Sequence, residues 1–250
     1  MPWAVVKDSI DYCLSNKKYF FYLLIAFISL ELLANLINTP STDFGSWIFF
    51  IMIMGYGVQV IEDSINGGNQ LPKANIKKII IYGVKAAIIS LFYYTVQSVL
   101  LFLVAYNLDF PMFDLEDFFL NFHETVLLFF NHDLGNFLIF VTLGFIISYV
   151  TIFFMELSLA RLADGGKLRK SFNFGRIKHA IDIIGWDRYA IRYSKIFIVV
   201  IIFSYVGKVV DPYFGINIII GSIALFLAFL VEFRGMGEIY KLYTDTKEKS

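Results

Sequence analysis

Long runs of apolar residues alternate with shorter polar segments along this 250-residue chain. An apolar run of about 20 residues is long enough to cross a bilayer as a helix. Six such runs cover about residues 19–38, 44–61, 79–106, 136–155, 191–210 and 214–233. The pattern predicts an all-α membrane protein with six transmembrane helices in a single polytopic membrane domain.

Three further segments, at about residues 3–14, 118–130 and 171–184, are too short to span and are apolar on one face only. This pattern is typical of interfacial amphipathic helices, which lie flat on a membrane surface. In the first segment the apolar face consists of Trp3, Val6, Ile10, Cys13 and Leu14. In the last it consists of Phe174, Ile177, Ile181 and Ile184.

Composition agrees with a membrane location. Hydrophobic residues make up 58% of the chain, charged residues only 17%, and the mean hydropathy is +0.68. A net charge of zero argues against a nucleic-acid partner, since nucleic-acid binding needs a basic excess. The single cysteine, Cys13, excludes an intramolecular disulfide.

Basic residues set the orientation, because Lys and Arg next to membrane spans stay on the cytoplasmic side. The amino terminus, residues 62–78, residues 156–195 and the tail from Arg234 hold 3, 3, 9 and 4 of the 21 Lys+Arg residues. Residues 107–135 hold none and contain six Asp+Glu. The distribution predicts six spans in the cell membrane, with both termini cytoplasmic.

The most basic inner loop contains the candidate lipid-binding residues. A basic amphipathic segment beside a membrane favours anionic headgroups, by about 1 kcal/mol per Lys or Arg. The alternative is that the basic residues only obey the positive-inside rule and bind no particular lipid. The candidate residues for headgroup contact are Lys167, Arg169, Lys170, Arg176 and Lys178.

Glu31 and Lys208 are charged residues placed well inside predicted spans. Glu31 lies 13 residues after the cytoplasmic Lys18 and Lys208 lies 13 residues after Lys195, so the two are at a similar height and are expected to form an intramembrane ion pair. The alternative is that Lys208 reaches the outer headgroups and Glu31 is protonated or bonded to a hydroxyl. Four other charges lie near the inner ends of spans, where we expect them to be solvated: Glu62, Glu156, Glu232 and Arg234.

Motifs for specific chemistry are weak. Gly55-Tyr56-Gly57 is similar to a potassium-channel filter, but the flanking Thr and Asp are missing, so close helix packing is the preferred interpretation. His123 and His132 lack the spacing of a zinc site. The sequence therefore predicts no catalytic residue, no metal and no cofactor.

The inner loops resemble one another. GGNQLPKANI at 67–76 and GGKLRKSFNF at 165–174 each follow a span that runs from outside to inside. The chain is therefore either built from a repeated two-helix unit or carries chance glycine pairs at helix ends.

The same segments carry a family resemblance. GYGVQVIEDSINGGNQLPKANIKK at 55–78, ARLADGGKLRKSFNF at 160–174 and FRGMGEIYKLY at 233–243 resemble domain-of-unknown-function family 4013. The resemblance implies a multi-span membrane protein of a mainly archaeal family. It implies no activity.

Two classes of function follow. One is a non-enzymatic lipid-interacting or membrane-assembly component, whose partners would be membrane lipids and either another membrane protein or further copies of the chain. The other is a small-solute transporter built from repeated helix pairs, which would need several charged positions at mid-membrane. The chain offers few such positions, so the first class is preferred.

Overall fold

The computed structural model describes residues 4–38, 43–108, 134–165, 167–210 and 217–248, with side chains at all of these except 4, 5, 35, 206–210, 217–220 and 248. The described residues are almost entirely helical and include no strand. Their nine helices are α1 (Ala4–Leu14), α2 (Lys17–Ile37), α3 (Phe44–Ile65), α4 (Ile76–Asn107), α5 (Leu134–Gly165), α6 (Leu168–Ser171), α7 (Phe174–Ile184), α8 (Trp186–Val210) and α9 (Asn217–Glu248).

Three helices of the described residues, α3, α4 and α5, are long and apolar enough to cross a membrane. This supports membrane association. The count of six spans and the cytoplasmic position of both termini stay predictions. The expected outer interfacial helix at 118–130, with His123 and His132, lies outside the described residues.

The chain divides into two compact units, the first formed by Met1–Ile89 with Glu156–Ser250 and the second by Ser90–Met155. In the first unit α9 is the central helix, because α1, α2, α3, α7 and α8 all pack against it. Its buried positions continue beyond the predicted end of the last span at residue 233. They include Phe226, Leu230, Phe233, Met236, Ile239 and Tyr240.

Glycines allow the close approach of α3 to its neighbours. A Cβ atom on Gly55 would overlap the carbonyl oxygen of Ile79, and one on Gly83 would overlap that of Ile51. Gly57 lies against the ring of Phe233, where a Cβ would come within 2.5 Å. Since Gly55 and Gly57 lie inside a continuous helix, the packing interpretation of the Gly-Tyr-Gly segment is confirmed.

Helix α1 packs against α9, α8 and α2. The sequence-based apolar face is only partly correct, because Leu14 is 42% exposed whereas Ser9 and Tyr12 are buried with Val6 and Cys13. The buried face therefore follows the contacts of α1 with other helices and includes polar atoms that take part in those contacts.

The second unit contains the last half of α4 and the first half of α5. Gln97 donates a hydrogen bond from Nε2 to the hydroxyl of Ser148 at 3.1 Å, and Phe140 packs on Val104 and Ala105. Many other side chains of this unit are apolar and exposed, as expected for helices that face lipid.

Candidate functional site

All five candidate headgroup residues are exposed. Lys167 precedes α6, Arg169 and Lys170 lie in α6, and Arg176 and Lys178 lie in α7. We call these five residues the basic cluster. The structure thus displays the basic cluster along one short segment.

Helix α7 holds this segment in place. Asn173, the residue before α7, caps the helix, because its side chain accepts a hydrogen bond from the backbone N–H of Arg176 at 3.0 Å. Gly185, the residue after α7, has a φ of 93° and donates its N–H to the backbone carbonyl of Ile181. That left-handed conformation suits glycine at a helix C-terminus.

The apolar face of α7 is buried inside the protein. Ile177, Ile181 and Ile184 are at most 3% exposed, and the helix packs against α8 and α9. Phe174, expected on the same face, is 52% exposed. The amphipathic pattern therefore arises from packing on other helices and is not by itself evidence for membrane contact.

Arg234 was expected to be solvated, and that expectation is wrong. Its side chain is only 5% exposed and forms ion pairs with Asp8 at 3.2 Å and with Glu238 at 2.8 Å. It also donates to the hydroxyl of Ser64 at 3.0 Å and to the carbonyl of Gly68 at 2.8 Å. Arg234 therefore joins α1, the turn after α3 and α9.

Tyr12 also packs against Arg234. The guanidinium carbon of Arg234 lies 4.2 Å from the centroid of the Tyr12 ring, and the Tyr12 hydroxyl donates to Asp63 at 2.9 Å. Burial, assisted by the charge of Asp63, raises the pKa of Tyr12 above its ordinary value. Burial also raises the pKa of the neighbouring Cys13 thiol to about 12.

Glu156 was also expected to be solvated, but it is only 2% exposed. Its carboxyl group contacts that of Glu232, whereas Glu62 forms an ion pair with Lys78 at 2.6 Å. The three glutamates that end equivalent predicted spans therefore have different surroundings.

Glu31 accepts a hydrogen bond from the hydroxyl of Ser222 at 2.8 Å, a contact 191 residues apart in sequence. The side chain of Lys208 is not among those described. The Glu31–Lys208 ion pair therefore stays a prediction, and the hydroxyl partner that the alternative requires is present.

A second polar cluster lies where α5 ends beside α9. The Tyr240 hydroxyl donates to Asp164 at 3.2 Å, and the charge of Arg161 acts on Tyr240. Burial, followed by the effect of Asp164, raises the pKa of Tyr240.

Next to Asp164 is a cavity of about 370 Å³, which is also lined by Ile65, Asn66, Lys241, Thr244 and Asp245. The sequence did not indicate the Tyr240–Asp164 contact or this cavity, because the residues that form them come from distant segments of the chain.

No group of three or more His, Cys, Asp or Glu side chains suited to a metal ion occurs in the described part of the chain. The geometry offers binding groups for ions: exposed cations on α6 and α7 and a charged cavity at the end of α5. A structure that is almost entirely helical over the described residues, with three helices long and apolar enough to span a membrane, is typical of the class of helical membrane proteins.

The comparison with protein families is consistent with this class. Residues 44–233 match the family of proteins of unknown function DUF4013, and the chain belongs to that family. The resemblance noted from the sequence is thereby confirmed. No curated protein and no solved structure matches the chain.

Proposed function

We propose that this protein is a non-enzymatic, lipid-interacting component of the cell membrane, which binds anionic headgroups through its basic cluster. In the proposed topology the chain crosses the membrane six times and both termini are cytoplasmic. The observation that carries the proposal is the exposure of Lys167, Arg169, Lys170, Arg176 and Lys178 on a segment whose other face is buried.

This arrangement suits headgroup binding because the cations are held in place without being neutralised. Lys78 and Arg234 form ion pairs, whereas no ion pair in the described part of the chain involves the basic cluster. Each cation near an anionic surface contributes about 1 kcal/mol. Five such contributions exceed the 1.4 kcal/mol that corresponds to a tenfold change in affinity.

The transporter alternative is less well supported. Glu156, Arg161 and Arg234 are buried charged residues, and each lies after the predicted cytoplasmic end of a span, at residue 155 or 233. A transporter built from repeats would place such groups around a mid-membrane cavity.

The test compares two variants with equal loss of charge. One replaces the basic cluster by Gln, and the control replaces Lys7, Lys17, Lys18, Lys73 and Lys77, which are also exposed. Each purified protein is reconstituted into nanodiscs of phosphatidylglycerol and phosphatidylcholine, and the enrichment of phosphatidylglycerol among the lipids that stay bound to the protein is measured by native mass spectrometry. We expect the basic-cluster variant to lose more than about tenfold in preference for phosphatidylglycerol and the control to lose little. Equal losses in the two variants would contradict a local site.

A further inference from the structure

Two aromatic side chains are exposed at the two ends of α7. Phe174, the first residue of α7, is 52% exposed, and Trp186, the first residue of α8, is 46% exposed. Apolar surface in contact with water is unfavourable, and tryptophan in particular is enriched at the boundary between membrane and water. The positions of these two rings therefore decide whether α7 has a surface for the membrane besides its buried face.

The two rings lie at the ends of one line of exposed side chains. Phe174, Lys178 and Asp182 follow one another at intervals of four residues, so they lie along one side of α7. Trp186 is the next residue at this interval. Although it begins α8, its Nε1 donates a hydrogen bond to Oδ1 of Asp182 at 2.7 Å, which holds the indole ring beside the end of the line. We call these four residues the aromatic line.

The predicted topology places Trp186 at the depth of the headgroups. The fifth predicted span begins at residue 191, five residues after Trp186, which is about 7.5 Å at the rise of an α-helix. The headgroup layer extends about 5–7 Å beyond the hydrocarbon core on each side. From there α8 continues with the exposed apolar side chains of Ile191, Ile198 and Ile202. The aromatic line therefore adjoins the surface of α8 that is expected to face lipid.

The charges of the aromatic line suit a phospholipid surface. Lys178 provides an ammonium group that can donate hydrogen bonds to a headgroup phosphate. Asp182 uses Oδ1 to accept the indole N–H of Trp186, and Lys178, one helical turn earlier, offsets its negative charge. The line has no net charge, so its contact with phospholipids does not require that the lipids be anionic.

We propose that α7 lies against the cytoplasmic membrane surface along the aromatic line, with the rings of Phe174 and Trp186 inserted among phospholipid headgroups. This inference rests on the six-span topology of the proposed function and does not depend on its preference for anionic lipids. It describes how the segment that carries the basic cluster is held beside the bilayer. The face toward the lipid differs from the one expected for an interfacial helix at residues 171–184, because Ile177, Ile181 and Ile184 are buried.

Fluorescence quenching by brominated lipid tests both ends of the line. The chain has three tryptophans, so replacing Trp3 and Trp47 by Phe leaves Trp186 as the single emitter. The protein is reconstituted into phosphatidylcholine vesicles with or without bromine near the headgroup end of the acyl chains. We expect the brominated lipid to reduce the emission. In a second protein, Trp186→Phe and Phe174→Trp move the emitter to the other end of the line, and a loss of emission is expected there too.

Thr246→Trp provides the control, in a chain whose three original tryptophans are replaced by Phe. Thr246 is exposed on α9 and lies 13 residues beyond the predicted end of the last span at 233, which is about 20 Å along the helix. Brominated lipid should leave its emission unchanged. Loss of emission at positions 174 and 186 but not at 246 supports the proposal. Loss at Trp186 alone, loss at neither end of the line, or an equal loss at position 246 would overturn it.

Failure of this proposal is distinguishable from failure of the headgroup proposal. Quenching is measured in phosphatidylcholine vesicles without anionic lipid, whereas the headgroup proposal is measured as enrichment of phosphatidylglycerol. Quenching at both ends of the aromatic line without enrichment would support the membrane contact of α7 and contradict the role of the basic cluster. Enrichment without quenching would contradict the membrane contact and leave the role of the basic cluster supported.

Discussion

The guanidinium carbon of Arg234 lies 4.2 Å from the centre of the Tyr12 ring, although the two residues are near opposite ends of the chain. Through this contact and the ion pair with Asp8, the amino-terminal helix is attached to the central helix α9. Cys13, the residue after Tyr12, is completely buried by the same packing. The thiol therefore reports whether α1 is attached.

We expect Arg234→Met to detach α1 and to lower the stability by about 3 kcal/mol, because it leaves Asp8 and Glu238 without their partner. Maleimide labelling of Cys13 should be slow in the original protein, where the thiol is buried and its pKa is about 12. It should be at least about tenfold faster in the variant. Arg188→Met, at an exposed position of α8, is the control. Unchanged labelling in Arg234→Met would contradict the attachment.

The sequence predicted the positions of helices but did not predict the contacts of Arg234. Apolar runs place helices at residues 44–61 and 79–106, and the structure has helices Phe44–Ile65 and Ile76–Asn107 there, since run length alone determines a span. Arg234 looked solvated because its partners, Asp8 and Ser64, are 226 and 170 residues away. The pattern of residues around Arg234 cannot indicate a partner that is so far away in the sequence.

The same limit applies to the candidate sites. The basic cluster was found from charge density along a short segment, and its exposure agrees with that reasoning. The cavity beside Asp164 combines side chains from the ends of α3, α5 and α9. Only the tertiary fold brings these three ends together, so spacing in the sequence could not indicate the cavity.

Gly55 should tolerate no side chain. A Cβ at this position overlaps the backbone oxygen of Ile79, so we expect Gly55→Ala to destabilise the protein by about 1–3 kcal/mol despite the better helix propensity of alanine. Gly144→Ala is the matched control, because its Cβ would lie an ordinary 3.5 Å from Leu101. That change should be neutral or slightly stabilising in thermal unfolding. Equal effects of the two substitutions would argue against close packing of α3 on α4.

The stability should fall in alkaline solution because of Tyr12 and Tyr240. Burial raises the pKa of each phenol in the folded protein, so above pH about 10 the unfolded chain loses these protons first. Fewer protons are then bound in the unfolded state, and each tyrosine lowers the stability by up to about 1.4 kcal/mol per pH unit. Tyr12→Phe and Tyr240→Phe should each reduce the slope of Tm against pH, and the double variant should reduce it further. If none of the three variants changes the slope of Tm against pH, Tyr12 and Tyr240 are not the cause of the fall in stability.

The six-span topology predicts opposite positions for two loops. Residues 107–135 contain no basic residue and should be outside, whereas residues 156–195 contain nine and should be inside. Reporter domains fused after Asp114 and after Lys170 should therefore report opposite sides of the membrane. Two reporters on the same side would exclude six spans with both termini cytoplasmic.

Double-mutant cycles can show whether Glu31 interacts with Ser222, with Lys208 or with both. Its hydrogen bond from Ser222 predicts that Glu31→Met and Ser222→Ala are coupled by about 1 kcal/mol in thermal unfolding, since each removes one side of the same bond. The predicted ion pair requires a second coupling, between Glu31→Met and Lys208→Met, because a lone charge inside the bilayer would cost about 3 kcal/mol.

Ser29→Ala is the control for both couplings, since Ser29 lies on α2 near Glu31 but is exposed. Its effect should add to that of Glu31→Met without coupling. If the Lys208 and Glu31 substitutions are also purely additive while Ser222 is coupled, the hydroxyl is the partner of Glu31 and the ion pair is excluded. If Ser222 shows no coupling, the hydrogen bond between α9 and α2 does not contribute to the stability of the folded protein.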